Sequence, residues 1–153
     1  MNGLQMVGAI GAMLPAFIAL IAMLNGMLEA AGALVGLEQL TLERVLGGLL
    51  QPLAWALGVP WNEAQLAGSL IGQKFILNEF VAYVSYSEIA DQLSPHAQAI
   101  VIFALCGFAN LSSIAILLGG LGAVAPSRRD DISRYGMRAL IAASLSNLMS
   151  AAL

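Results

Sequence analysis

From Gly72 to Tyr83 the chain reads Gly-Gln-Lys-Phe-Ile-Leu-Asn-Glu-Phe-Val-Ala-Tyr, placing Lys74, Asn78 and Glu79 among Leu, Ile, Phe and Val. The surrounding sequence is apolar enough for a bilayer. A charged side chain at that depth costs about 2.5 kcal/mol or more, and such groups face a polar cavity and act there. A second polar interruption, Gly107-Phe-Ala-Asn-Leu-Ser-Ser113, lies in the next hydrophobic segment. Asn110 and Ser113 are three apart and would share a helix face. Carriers build substrate sites from two such broken segments side by side. Two structural readings compete. Glu79 and Lys74 could simply pair at a helix end. Ser112 and Ser113 could bond back to their own helix while Asn110 joins helices.

Composition sets the solvent. The 153 residues are 59% hydrophobic and 10% charged, where a soluble domain carries about 25% charge, so the chain is a membrane protein or a piece of one. A net charge of −3 argues against nucleic acid, which needs a basic face. Met1 is followed by no basic region of a cleavable signal, and the first apolar run is long enough to span. The single cysteine, Cys106, excludes an internal disulfide; flanked by Leu105 and Gly107, it reads as an inert packing thiol. His96 has no ligand partner in sequence. There is no metal signature, phosphate loop, dinucleotide fingerprint or Ser-His-Asp pattern.

These residues need an all-α integral membrane scaffold to hold them. Residues 4–28 carry no charge and exceed the roughly 20 residues of a spanning helix. Asn25-Gly26 would loosen its last turn, Glu29 would mark the interface, and 30–40 would be a connector. Thr41 can cap a helix over 41–58 whose leucines recur at helical spacing; with Trp55 and Trp61 nearby, it reads as an interfacial amphipathic helix. Residues 61–88 form two short apolar arms around the polar stretch 72–79, the pattern of a re-entrant hairpin. Gly68 and Gly72 would allow a close neighbour. One long distorted helix over 64–87 is the alternative. Ser94-Pro95 opens a transmembrane helix over 95–125, broken at Gly107–Ser113. Arg128, Arg129, Arg134 and Arg138 place the following loop in the cytoplasm, where they read as solvated charge. A last transmembrane helix, 133–153, carries Ser144, Ser146, Asn147 and Ser150 on a packing face. No internal repeat is visible, so the chain looks like half of a transport machine.

Three strings resemble a known family: GQKFILNEFVAY at 72–83, ALCGFANLSSIAILLGGLGAVAP at 104–126 and RRDDISRYGMRALIAASLSNLMSAA at 128–152. The chain is similar over nearly its whole length to the C-terminal half of concentrative nucleoside transporters. The resemblance implies sodium- or proton-coupled nucleoside import by a homotrimer, multi-pass in the plasma membrane (the inner membrane of a bacterium). It implies ribose contacts from Glu79, Asn110 and Ser113, with Asn78 beside them, and a base contact from Phe108. A carboxylate accepts hydroxyl protons, an amide donates and accepts, and a ring offers a stacking face. The family's first hairpin and its partner broken helix, which supply the ligands of the coupling Na+ or H+, would lie in an N-terminal half absent from this chain. No other cofactor is expected.

Binding, not chemistry, is then the expected task, by alternating exposure of a midplane site. A membrane enzyme using Glu79 and Lys74 as acid and base would lack a nucleophile or metal partner. An assembly-only membrane subunit without its own substrate site is the alternative to the carrier.

Overall fold

The computed structural model describes residues 19–34, 36, 40–111, 113, 114 and 125–153. These are mainly helical, with no strand among them. They fall into two compact units that divide between Val45 and Leu46.

The first unit holds helix α1, residues 19–34, and the start of α2, Leu42–Ala56. Helix α1 does not end near Glu29. Alanines at 30, 31 and 33 are strong helix formers and carry it six residues past the expected end at 28, into the expected connector. Asn25 therefore sits inside the helix. Its Oδ1 accepts the Leu42 N–H at 2.7 Å and its Nδ2 reaches the Glu43 carboxylate at 3.1 Å. Thr41 Oγ1 takes the Arg44 N–H. The first turn of α2 is thus capped by its own threonine and by α1. The part of the expected span before residue 19 lies outside the described residues.

The second unit continues α2 and adds α3 (Trp61–Ile76), α4 (Glu79–Ile89), α5 (Pro95–Leu105) and α6 (Arg129–Ala151). Helix α2 crosses α3 with almost no space between backbones. A Cβ on Gly68 would lie 2.9 Å from Gln51 N, and one on Gly47 would lie 2.7 Å from Gln65 O. The neighbour that Gly68 admits is therefore α2.

Helices α3 and α4 fold back on each other at Leu77–Asn78, so the chain is not one continuous helix over 64–87. The break is narrower than the polar stretch suggests, because α3 runs on to Ile76. Gln73 and Lys74 find partners on other elements, so they need no irregular backbone of their own. Gln73 Oε1 accepts the Ser85 hydroxyl at 2.7 Å, joining the two arms. A 3-10 turn over Ala90–Gln92 leads to Ser94, whose hydroxyl caps α5. Glu63, in the first turn of α3, accepts from both Ser94 N and Ser94 Oγ at 2.9 Å. The start of α5 is thereby pinned to the start of α3.

The core is built from small residues, among them Ala64, Ala67, Ala82, Ala97, Ala104 and Ala151, with Leu70, Ile71, Val101 and Leu105 filling between. Small side chains let helix axes approach closely. Among the described residues no helix combines the length and hydropathy needed to cross a membrane. Helix α6 has the length, 23 residues. Arg134, Arg138 and a run of Ser and Asn hold its hydropathy down.

Candidate functional site

The site forms where the N-terminus of α4 meets the break after α5. Asn78 has extended backbone, and its Oδ1 accepts the Val81 N–H at 2.9 Å, capping α4. Glu79 is the first residue of that helix, where unpaired N–H groups and the helix dipole favour a carboxylate. The geometry holds Glu79 half-buried, facing the broken segment.

Helix α5 ends at Leu105, and residues 106–109 leave the helix before it resumes at Leu111. Asn110, fully buried, lies at this restart. Its Nδ2 donates to Glu79 Oε2 at 3.1 Å. Its Oδ1 accepts the Ser113 N–H at 2.9 Å, with the Ser113 hydroxyl also at 2.9 Å. That hydroxyl lies 3.2 Å from the Phe108 carbonyl. Glu79, Asn110, Ser113 and the Phe108 backbone therefore form one hydrogen-bonded chain across two elements. The Phe108 ring projects outward, 60% exposed.

The end of α5 is held in a different way. The Cys106 N–H closes its last turn onto Ile102 O and Phe103 O, and side chains meet the same carbonyl end. The Tyr83 hydroxyl donates to Ile102 O at 2.9 Å, Asn147 Nδ2 to Phe103 O at 2.9 Å and Lys74 Nζ to Ala104 O at 3.1 Å. Lys74 Nζ donates as well to Asn147 Oδ1 and lies 5.1 Å from the centre of the Phe75 ring. A Cβ on Gly107 would sit 2.5 Å from Asn147 Cγ, so only glycine fits there without moving that amide.

Of the residues singled out in sequence, Glu79, Asn110 and Ser113 are brought into one cluster, and the Phe108 ring stands beside it. Asn78 adjoins them with its amide oxygen engaged as a cap, which leaves Nδ2 as its donor. Lys74 makes no ion pair with Glu79 within salt-bridge distance; its hydrogen-bond partners are the neutral Ala104 carbonyl and Asn147 amide. The helix-end pairing of those two charges is overturned on that ground. Cys106 is exposed, 3.2 Å from the Tyr83 hydroxyl, rather than packed inside. The break after Leu105 is what leaves it outside. The described arginines 134 and 138 flank the Tyr135 ring, and Arg128 pairs with Asp131 at 2.7 Å on the surface. No group of three metal-ligating side chains occurs among the described residues.

Sequence reasoning missed the roles of Asn147, Tyr83 and Glu63. Asn147 was grouped with serines on a packing face, and nothing local distinguishes it. The Asn78 cap was missed as well, although Asn ahead of a first-turn Glu is a helix-start signal that could have found it.

Residues 1–153 match the family model described as Na+ dependent nucleoside transporter C-terminus. The transporter YutK of Bacillus subtilis is 55% identical over 152 residues, 99% of this chain and 38% of the relative. The nucleoside permease NupC of Helicobacter pylori is 47% identical, covering 98% of this chain and 37% of the permease. The solved structure of CNTnw in an inward-facing substrate-bound state superposes with a TM-score of 0.95 at 54% identity, over 99% of this chain and 38% of that one. The chain thus spans under two-fifths of the length of these relatives, which are transporters and permeases and not enzymes. It belongs to the Na+ dependent nucleoside transporter C-terminus family.

Proposed function

We propose that this chain supplies the ribose-binding part of a membrane carrier that imports nucleosides by alternating access, coupled to Na+ or H+. Glu79, Asn110 and Ser113 take the ribose hydroxyls, Asn78 Nδ2 donates beside them, and Phe108 lies against the base. The coupling-ion ligands belong to a part of the carrier outside this chain. α3 and α4 act as a re-entrant hairpin, α5 as the first half of a broken transmembrane helix, and α2 as an interfacial helix. The carrier is a homotrimer in the plasma membrane.

One observation carries this reading: a half-buried carboxylate shares a hydrogen bond with a fully buried amide from the other broken segment, 3.1 Å away. A hydroxyl inserted between them would accept from Asn110 and donate to Glu79. Support comes also from the family description and from the relatives' names.

The test is competition by deoxynucleosides in a complete transporter that carries this segment. A buried polar group left unpaired costs about 1–3 kcal/mol, more when charged, and about 1.4 kcal/mol is tenfold. A ligand lacking the hydroxyl held by Glu79 is expected to bind at least about tenfold more weakly. Glu79→Gln is expected to shrink that gap and to abolish uptake while leaving assembly intact. Equal competition by ribose and deoxyribose ligands in the wild type would return Glu79 to a structural role and favour the assembly-only subunit.

A further inference from the structure

Lys74 is fully buried, yet the nucleoside site does not use it. A buried ammonium is costly unless its protons are placed. Here they are placed on the C-terminal end of α5 and on Asn147. Three consecutive α5 carbonyls, those of Ile102, Phe103 and Ala104, are met by three side chains from three helices: Tyr83 of α4, Asn147 of α6 and Lys74 of α3. The cation lies at the negative end of the helix dipole, where positive charge is favoured. Asn147 is bonded on both faces, as donor to Phe103 O and as acceptor from Lys74. Its side chain also fills the space that Gly107 leaves open. The non-helical residues 106–109, which set the course of Phe108 and Asn110, start from this end.

We propose that Lys74, Asn147 and Tyr83 form a three-point clamp on the end of α5, making Lys74 a positioning residue for nucleoside binding. This rests on the site assignment given above and adds to it the residues that fix the site's geometry. The Lys74 donors are essential to the clamp, because a side chain without N–H groups would leave the Asn147 oxygen and the Ala104 carbonyl without that donor. Loss of the clamp lets the 106–109 loop relax, and Asn110 then no longer meets both Glu79 and the ligand.

The experiment is calorimetric nucleoside titration of the complete transporter in detergent, on the folded fraction isolated by size. Lys74→Met is expected to raise Kd by about tenfold or more, the scale of one lost charge-assisted contact. Lys74→Arg, which keeps the charge and donors, is expected to return Kd to within about threefold of wild type. Asn147→Ala should also weaken binding, and the double variant should lose less than the sum, since both act on one helix end. A contact that only stabilised the fold would reduce the yield of folded protein and leave the Kd of that fraction unchanged. That outcome for Lys74→Met overturns the proposal. Where Lys74→Met yields no folded protein, Tyr83→Phe decides, because it removes a single hydroxyl from the same collar. A Kd raised about threefold supports the clamp, and a wild-type Kd overturns it. Failure of the site assignment looks different: Glu79→Gln and Asn110→Ala would then bind nucleoside as the wild type does.

Discussion

Phe108 lies in the break after α5 and Ser113 in the helix that resumes beyond it, and the two do opposite work. The exposed Phe108 ring has an open face, while the Ser113 hydroxyl is buried against Asn110 and the Phe108 carbonyl. Phe108→Ala is therefore expected to weaken all nucleosides through the base and leave the ribose-against-deoxyribose preference standing. Ser113→Ala should erode that preference instead. Competition assays across base and sugar analogues separate the two; a lost sugar preference in Phe108→Ala would count against the division. At this scale much was legible from sequence. Polar residues in an apolar run are costly, so Glu79, Asn110 and Lys74 stand out by cost alone. What they bond to was not legible. Lys74 and Asn147 are 73 positions apart, and no local pattern links them.

Helix α3 shows how elements share the load. Its first turn holds Ser94 through Glu63, its middle passes α2 at Gly68, and its last turn sends Lys74 to α5 and α6. Gly68→Ala would place a methyl 2.9 Å from two backbone atoms of α2. Backbone cannot swing aside as a side chain can, so the expected loss is about 1–3 kcal/mol of stability. Thermal unfolding of the complete protein in detergent would read it, and an unchanged Tm would mean that α2 yields freely. The hairpin turn gives a second test. Ile76 is exposed beside the turn, so Ile76→Cys, with Cys106 replaced, should react with a membrane-impermeant thiol reagent and be shielded by nucleoside. Inertness in every transport state would argue against a water-reached hairpin. Helix boundaries were read less well than helix existence. Alanines extended α1 beyond Glu29, and tertiary partners let α3 stay helical through Gln73 and Lys74. The first lay in local alanine propensity that the reading passed over, and the second depends on contacts that spacing does not encode.

Across the whole molecule, exposed apolar side chains mark where the chain expects company. Met137, Ile141, Leu145 and Met149 recur every four residues along α6 and are all exposed. In a carrier such a stripe meets lipid or the rest of the protein. The relatives are more than twice as long as this chain, and composition alone could not name what covers that face. Crosslinking of the complete transporter in lipid is expected to give trimers; only monomers in both detergent and lipid would refute that assembly.

The hydrogen-bonded chain of Glu79, Asn110 and Ser113 has a kinetic consequence. Among the described residues no buried side-chain nitrogen or oxygen lacks a partner, and the Glu79 carboxylate already accepts a hydrogen bond from Asn110 without a ligand. A carrier must come back unloaded after each delivery, and an exposed bare carboxylate would make that journey slow. With Asn110 donating to Glu79, the cost of the unloaded return is expected to be reduced, and net uptake should run at a rate close to nucleoside exchange. Asn110→Ala uncovers the carboxylate. In that variant exchange should outpace net uptake by about tenfold, corresponding to roughly 1.4 kcal/mol on the unloaded step. Tracer flux with and without internal nucleoside would measure the ratio, and an unchanged ratio would mean that Glu79 finds another cover on the way back.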